Sequence, residues 1–439
     1  MKRFFKYSLL AISLTTILIA GLVIFIIFFL DLNSYQPLIS QAVKKEMQRE
    51  LAFEGDISFA AFPKIRLNLR QFSLSEYKTR KKFITADSIH LTLPLRQLFD
   101  KQLTLDEISI KGLKAALIRY PDGRTNIDDL LTADDKKKEV VLGQARIEIT
   151  RFIFHDAKNK KQFTLSGLTL ESVKITNKNL NNLALKTKGS MKNLRNHASY
   201  DFAIKLNVPD MLFNHDHISS NHIRLITTVA HSQQKISAEL TLTNLIASAH
   251  CFHSDAMVIK MLAKNDTQII KTHLSSPMNG ELDSQELHLP DLKAGIAVSA
   301  NHSFSQSIHG NLLGSMSMSN SSEQIDVNLT GNVENSAIQA IFNIAGFDEP
   351  VVNFDVTIDH LNTDQFQFNY NQAESNNLRN NKPPDKAVDF SLWPDLDVNG
   401  SIYIGTAQIA DTALSGVTFK IQSDGKNLNY TADLINRAY

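Results

Sequence analysis

The chain is poor in cysteine and carries no excess charge of either sign. Cys251 is the single cysteine among 439 residues, so an intramolecular disulfide cannot form and a disulfide scaffold is excluded. The 46 lysines and arginines balance 45 aspartates and glutamates, which leaves a formal charge of +1. Nucleic-acid binding needs a concentrated basic face, and this balance gives no reason to expect one. Stability therefore has to come from strand pairing and apolar burial.

The sequence also lacks the short motifs that mark common catalytic sites. No G-x-S-x-G, H-E-x-x-H, P-loop or G-x-G-x-x-G pattern occurs. Histidines cluster at 215–222 (HDHISSNH) and 250–255 (HCFHSD), and alternate strand residues share a face, which permits chelation. Neither cluster has the paired spacing of a zinc motif. We therefore expect a protein that is not an enzyme and holds neither cofactor nor metal.

One long apolar segment stands near the amino terminus. Residues 8–30 (SLLAISLTTILIAGLVIFIIFFL) are uncharged and long enough to cross a bilayer as a transmembrane helix. Lys2, Arg3 and Lys6 precede it, so residues 1–7 should stay cytoplasmic while the remainder is translocated. A cleaved signal peptide is the alternative, but its apolar region would be shorter and would end in small residues. The sequence thus predicts an uncleaved single-pass anchor.

A short amphipathic helix is predicted directly after the anchor, with Pro37 well placed to begin it. Its apolar residues recur at helical spacing and are Leu38, Ile39, Ala42, Val43 and Met47. Two interpretations are open. The apolar stripe packs under the first strands, or it lies along the membrane surface or plugs one end of the β-structure.

From residue 57 the hydrophobic period changes to two, which is typical of strands with one apolar and one polar face. About 25 candidate strands follow by this periodicity. A compact sandwich or barrel holds around ten strands before it must close or split. The expected fold class is therefore mainly β: an elongated, curled, groove-like antiparallel sheet after the transmembrane helix, with few short helices. Two such helices are predicted at 93–99 and 126–132, the second capped by Asn126.

Changes of pattern along the chain predict its domain organisation. An amino-terminal module at 31–132 is followed by a charged linker, ADDKKKE, at 133–139. A middle β region spans 140–371. A polar, Asn-rich loop at 372–386 then precedes a last β segment at 387–439.

The strands of the amino-terminal module place aliphatic residues on one face. These candidate groove residues are Ile65, Leu67, Leu69, Ile89, Leu91, Leu93, Leu103, Leu105, Ile108 and Ile110. If the sheet curls, this face forms a trough that shields acyl chains from water, at about 0.8 kcal/mol per methylene. A closed core is the alternative, and the residues alone favour it because alternating strands usually face a core.

Several segments resemble the AsmA family of bacterial envelope proteins. After the anchor, the segments 31–69, 83–99 (FITADSIHLTLPLRQLF), 103–112 (LTLDEISIKG) and 122–131 (DGRTNIDDLL) stand in the family's order. This module is similar to the chorein amino-terminal domain of lipid-bridge proteins. The last β segment also resembles the family's closing strands. In the family, further strands follow the point that corresponds to Tyr439, so a short or carboxyl-terminally truncated member is expected.

The resemblance implies an inner-membrane protein of a Gram-negative bacterium with a periplasmic body that acts in outer-membrane assembly. The implied partners are the inner membrane, phospholipid acyl chains carried along the groove, and other envelope proteins, with no nucleic acid. The resemblance favours the trough over the closed core. The alternative function is a non-enzymatic assembly factor or scaffold that affects outer-membrane protein insertion.

Overall fold

The computed structural model shows a mainly β protein, as predicted. It describes residues 36–437 with gaps at 61–62, 96–102, 132–139, 177, 196, 215, 232–233, 265–267, 301–306, 348–349, 363–396, 410–411 and 425–427. These residues form 22 strands and two helices. None of the described helices has the length and apolar character needed to cross a membrane. The predicted anchor, with Lys2, Arg3 and Lys6, and the polar loop at 372–386 lie outside the described residues.

The chain divides into two compact units, residues 1–210 and 211–439, at a boundary inside strand β10. We call them the amino-terminal and carboxyl-terminal units. The predicted linker at 133–139 does not separate them. It connects two strands of the amino-terminal unit that lie side by side.

The amino-terminal unit begins with a helix and continues almost entirely as strands. Its elements are α1 (Gln36–Met47), β1 (Leu51–Phe53), β2 (Ile57–Ala60), β3 (Ile65–Ser75), β4 (Lys82–Leu93), β5 (Leu103–Arg119), α2 (Asp128–Leu131), β6 (Val140–Asp156), β7 (Lys161–Ser172), β8 (Lys174–Ile175), β9 (Asn179–Asn193) and β10 (Ser199–Phe213). β1 and β2 both pair with β3, and β3, β4 and β5 form an antiparallel ladder. β6, β7 and β9 form a second one, with β8 beside β6 and β9.

β5 and β6 run parallel and are the exception in this unit, whose other described strand pairs are antiparallel as expected. A parallel pair needs a crossover instead of a hairpin. Here the crossover contains α2 and the charged segment 133–139. The charge pattern of the sequence predicted a linker here but did not indicate that the strands on either side of it run parallel.

Gly112 lies where β5 has a positive φ of 68° and where its ladder with β6 is irregular. A Cβ atom at this position would overlap the Asp87 side chain on β4. We expect Gly112→Ala to lower the melting temperature more than Gly167→Ala. Gly167 also has a positive φ, of 59°, but nothing lies near its Cβ position, so its replacement costs only about 1–2 kcal/mol of backbone strain. Equal losses in thermal unfolding would contradict the steric argument.

The carboxyl-terminal unit consists of long strands in chain order. They are β11 (His217–His231), β12 (Gln234–Ser248), β13 (Cys251–Lys264), β14 (Gln268–Glu281), β15 (Glu286–Ala300), β16 (Ile308–Ser319), β17 (Gln324–Val333), β18 (Ser336–Ala345), β19 (Val351–Asn362), β20 (Asp397–Ile409), β21 (Thr412–Asp424) and β22 (Leu428–Arg437). Each strand from β11 to β18 pairs antiparallel with the next. β20 joins β19 in parallel, and β21 and β22 continue antiparallel.

Three consecutive ladders of this unit break their register at a similar level. The breaks follow Ser254 in β13, Ser275 in β14 and Leu289 in β15. A β-bulge bends its strand and increases the local twist. The four buried residues of the largest described core cluster lie beside these breaks: Met257, Met278, Leu289 and Leu292. The buried cluster of this unit therefore lies where its strands bend.

Candidate functional site

Most of the candidate groove residues lie together on one face of the amino-terminal unit. Leu67 lies directly opposite Leu91, which in turn lies opposite Ile108. The other pairs are Ile65 with Leu93, and Leu69 with Ile89, which faces Ile110. Directly opposed strand residues point to the same side of a sheet. The ladder thus brings eight of the ten residues onto one apolar face.

Leu105 does not join that face. β5 pairs regularly with β6 between Leu105 and Ile108, and side chains alternate along a strand, so these two residues lie on opposite sides. Leu105 instead lies beside Leu142, and Leu103 pairs with Val140 through the backbone. The phase change was visible in the sequence as the consecutive polar residues Asp106 and Glu107.

Most of the apolar face in the amino-terminal unit is half-buried. Ile65 is buried, whereas Leu67, Leu91, Ile108 and Ile110 each keep an intermediate exposure. A closed core would bury such side chains almost completely. The face therefore keeps partly exposed apolar surface.

A longer apolar row crosses the carboxyl-terminal unit and was not predicted from the sequence. The row takes one residue from each strand from β11 to β21, and each of these residues lies directly opposite the next. In order they are Leu225, Leu240, Ile259, Leu274, Ala294, Leu312, Gly331, Ile338, Ile358, Ile404 and Val417. No position in this row is polar. Its members come from distant parts of the sequence, so only the strand register reveals that they are aligned.

The two faces of this sheet differ sharply in polarity. The row next to the apolar one, on the other face, includes Glu239, Lys260, His273 and Asn311. Along β17 the burial alternates at every residue, with Ile325, Val327 and Leu329 half-buried and the residues between them exposed. Alternation of this kind produces an amphipathic sheet with one water-facing side. Its other side carries the apolar row.

A buried ion pair fixes the start of the amino-terminal unit. The Arg49 guanidinium is completely buried and donates two hydrogen bonds to the Asp129 carboxylate, at 2.8 and 2.7 Å. It also donates to the backbone carbonyls of Ser75 and Asn126, and its guanidinium carbon lies 5.1 Å from the centre of the Phe83 ring. These bonds lower the pKa of Asp129, so its carboxylate is charged at neutral pH. The cluster joins the end of α1 to β3, β4 and α2.

The segment DGRTNIDDLL folds around this pair. Asn126 does not cap α2, which corrects the prediction. Its side chain accepts a hydrogen bond from the Ile118 amide and donates one to the Ala116 carbonyl of β5. The Asp128 carboxylate accepts hydrogen bonds from the amide and hydroxyl of Thr125, which resembles a capping box. The motif thus presents Asp129 to Arg49.

The histidine segments form exposed hydrogen bonds in the described residues. His250 lies 2.8 Å from Asp283, and His253 contacts Asn279 and Asp255, which together raise the pKa of His253. Across the described ranges, no group of three or more histidine, cysteine, aspartate or glutamate side chains is arranged to hold a metal ion. His215 lies outside them.

The fold and its site define a β-rich protein that presents long apolar sheet faces. The chain belongs to the AsmA family, whose model matches residues 1–394. The match includes the middle β region at 140–371, and it stops before most of the closing segment at 387–439. Comparisons with curated proteins and with solved structures gave no match. Family membership supports a function in the assembly of the envelope and outer membrane.

Proposed function

We propose that the protein carries phospholipid along its apolar sheet faces, by non-enzymatic binding of acyl chains. The observation that carries the proposal is the aliphatic row from Leu225 to Val417, which continues across eleven neighbouring strands. Ten intervals of about 4.8 Å make this path about 48 Å long. The path has to be uninterrupted because each acyl chain that passed a charged side chain would have to remove water from that charge, which costs free energy.

The partial exposure of these faces supports binding of a mobile ligand. Each acyl methylene removed from water contributes about 0.8 kcal/mol. Contact with a half-buried aliphatic surface provides this gain in small steps, with no position that holds the chain much more tightly than the next. A surface of this kind favours movement along the row over tight binding at one place.

The proposal places the protein in the inner membrane of a Gram-negative bacterium. The segment Ser8–Leu30 would span the bilayer once, with Lys2, Arg3 and Lys6 on the cytoplasmic side and the β-units in the periplasm. The partners would be the inner membrane, phospholipid and other envelope proteins. No cofactor, metal or nucleic acid has a role in it.

Replacing Leu91 by Arg tests this function. The purified full chain should carry phospholipid, and Leu91→Arg should reduce the bound amount about tenfold, because an unpaired charge on the apolar face costs more than the roughly 1.4 kcal/mol that this factor requires. Thr92→Arg is the matched control, since Thr92 is the next residue of β4 and lies on the other face. Mass spectrometry of extracted lipid gives the readout.

Two outcomes would count against lipid carriage. The first is a purified full chain without phospholipid, and the second is equal lipid content in Leu91→Arg, Thr92→Arg and the unchanged protein. Either result would favour a scaffold that affects outer-membrane protein insertion through its exposed surface. Hydrogen exchange of β3 and β4 should be unchanged in both variants, which shows that the fold is retained.

A further inference from the structure

Helix α1 exposes its apolar side chains. No side chain of α1 is buried, and Leu38, Ile39 and Met47 are 60%, 42% and 43% exposed. The interpretation that the apolar stripe packs under the first strands is therefore wrong for these residues. Leu38 and Ala42 are four residues apart and lie on one face of the helix. This face has no covering element within the described residues.

Basic side chains surround the carboxyl-terminal end of α1. Lys44 and Lys45 lie in its last turn. The β3–β4 turn lies beside them, because the Lys78 amide donates a hydrogen bond of 2.8 Å to the Gln48 carbonyl. A depression of about 470 Å³ at this place is lined by Lys44, Gln48, Glu50, Lys78, Thr79 and Arg80.

Cations outnumber carboxylates around this depression. Glu50 accepts a hydrogen bond of 2.9 Å from Lys44 and lies 3.8 Å from Arg80. This one carboxylate is therefore shared by two positively charged side chains. Within the described part of the chain, Lys45 and Lys78 form no ion pair with a carboxylate. Glu46 is the acidic residue of α1 itself. The end of the helix therefore presents positive charge to an anionic partner.

We infer that α1 lies in the surface of a bilayer that contains anionic phospholipid, with Leu38 and Ile39 among the headgroups and the cations of the last turn and the β3–β4 turn on the phosphates. The inference rests on the proposed function, which places residues 8–30 in the membrane. Five residues, 31–35, separate that segment from α1, and they span at most about 18 Å. The helix is thereby held within reach of the bilayer surface.

The chemistry of α1 fits an interfacial position. Helices that lie on membranes combine a modest apolar face with lysine or arginine side chains, and anionic lipid strengthens their binding. Each lysine near an anionic surface changes the binding constant about fivefold. The same charge has little effect at a neutral bilayer. Lipid charge therefore distinguishes docking of α1 from simple tethering by the anchor.

The test places a fluorescent label on α1 in the full chain. In a Cys251→Ser background, Leu38→Cys is labelled with an environment-sensitive fluorophore, and the protein is reconstituted into lipid nanodiscs that contain a quencher-labelled lipid. The discs contain phosphatidylcholine alone or an equal mixture with phosphatidylglycerol. We expect strong quenching of the label in the mixed discs and much weaker quenching in the neutral discs.

Charge reversal supplies the matched comparison. The double variant Lys44→Glu with Lys45→Glu should lower the docking equilibrium in mixed discs at least about 25-fold, from about fivefold per lysine removed. The control, Lys186→Glu with Lys188→Glu, makes the same charge change at exposed positions of β9 and should leave quenching unchanged.

A second label separates this inference from the proposed function. Ile19→Cys reports on the predicted span. Quenching at position 19 without quenching at position 38 in mixed discs overturns the docking of α1 and leaves the membrane anchor intact. Quenching at neither position overturns both. Equal quenching at position 38 in neutral and mixed discs, or after charge reversal, shows that anionic lipid is not the partner and also overturns the inference.

Discussion

Replacing Asp129 by alanine is expected to destabilise the amino-terminal unit by about 3–5 kcal/mol. The reason is that Arg49 would remain completely buried without its carboxylate partner. Burial of an unpaired charge costs far more than the pair contributes when intact. Hydrogen exchange of β3 and β5 in the full chain measures the loss, because Arg49 and Asn126 connect these strands to α2.

The matched control is an exposed ion pair of the same unit. Lys82 and Glu54 lie 2.6 Å apart with more than half of each side chain exposed, so Glu54→Ala should cost less than about 1 kcal/mol. The double variant Arg49→Met with Asp129→Leu should recover much of the stability, since it removes the buried guanidinium charge together with its carboxylate partner. Similar exchange rates in Asp129→Ala and Glu54→Ala would show that the buried pair does not fix this unit.

Replacing Ala340 by arginine is expected to remove most lipid binding by the carboxyl-terminal unit. Ala340 is buried on the apolar face, directly between Leu329 of β17 and Val356 of β19. An arginine there would place a charge between two aliphatic neighbours, at a cost of several kcal/mol. Crosslinking of a photoreactive phospholipid to β17–β19, located by mass spectrometry of the peptides, measures the effect.

The neighbouring residue provides the control for this substitution. Ile341 is 56% exposed on the opposite face of β18, so Ile341→Arg should leave crosslinking unchanged. Val356→Asn adds a polar group without a charge at a half-buried position and should give an intermediate loss with the fold retained. Crosslinking that is equal in all three variants would contradict lipid passage over this face.

The strand content and the face of eight of the ten candidate groove residues followed from the period of the sequence. Leu67, Leu69, Leu91 and Ile89 alternate with polar residues, and alternation identifies one side of a strand without reference to its neighbours. The prediction failed at Leu105 because the phase changes within β5. It also failed to identify the two parallel pairs, because strand direction depends on how a connection crosses the sheet.

Contacts between distant residues could not be predicted in the same way. Arg49 and Asp129 are 80 residues apart, and a basic residue after an amphipathic helix normally indicates a solvated side chain. The position of Asn126 before a short helix predicted a cap, yet its side-chain amide forms hydrogen bonds with the backbone of β5. Both side chains could form hydrogen bonds either with nearby groups or with groups distant in the sequence. In the folded chain they are buried and form the long-range hydrogen bonds, because buried polar groups need partners.

Membership of the AsmA family and the β-rich fold were thus determined by the sequence itself, because motif order and two-residue periodicity are local properties of the chain. The tertiary structure decided how those strands align. A row of eleven apolar positions exists only when the register between neighbouring strands is correct, since a shift by one residue would move each side chain to the other face. Arg49 and Asp129 lie outside the strands, and only the folded chain brings these two residues, 80 positions apart, into contact.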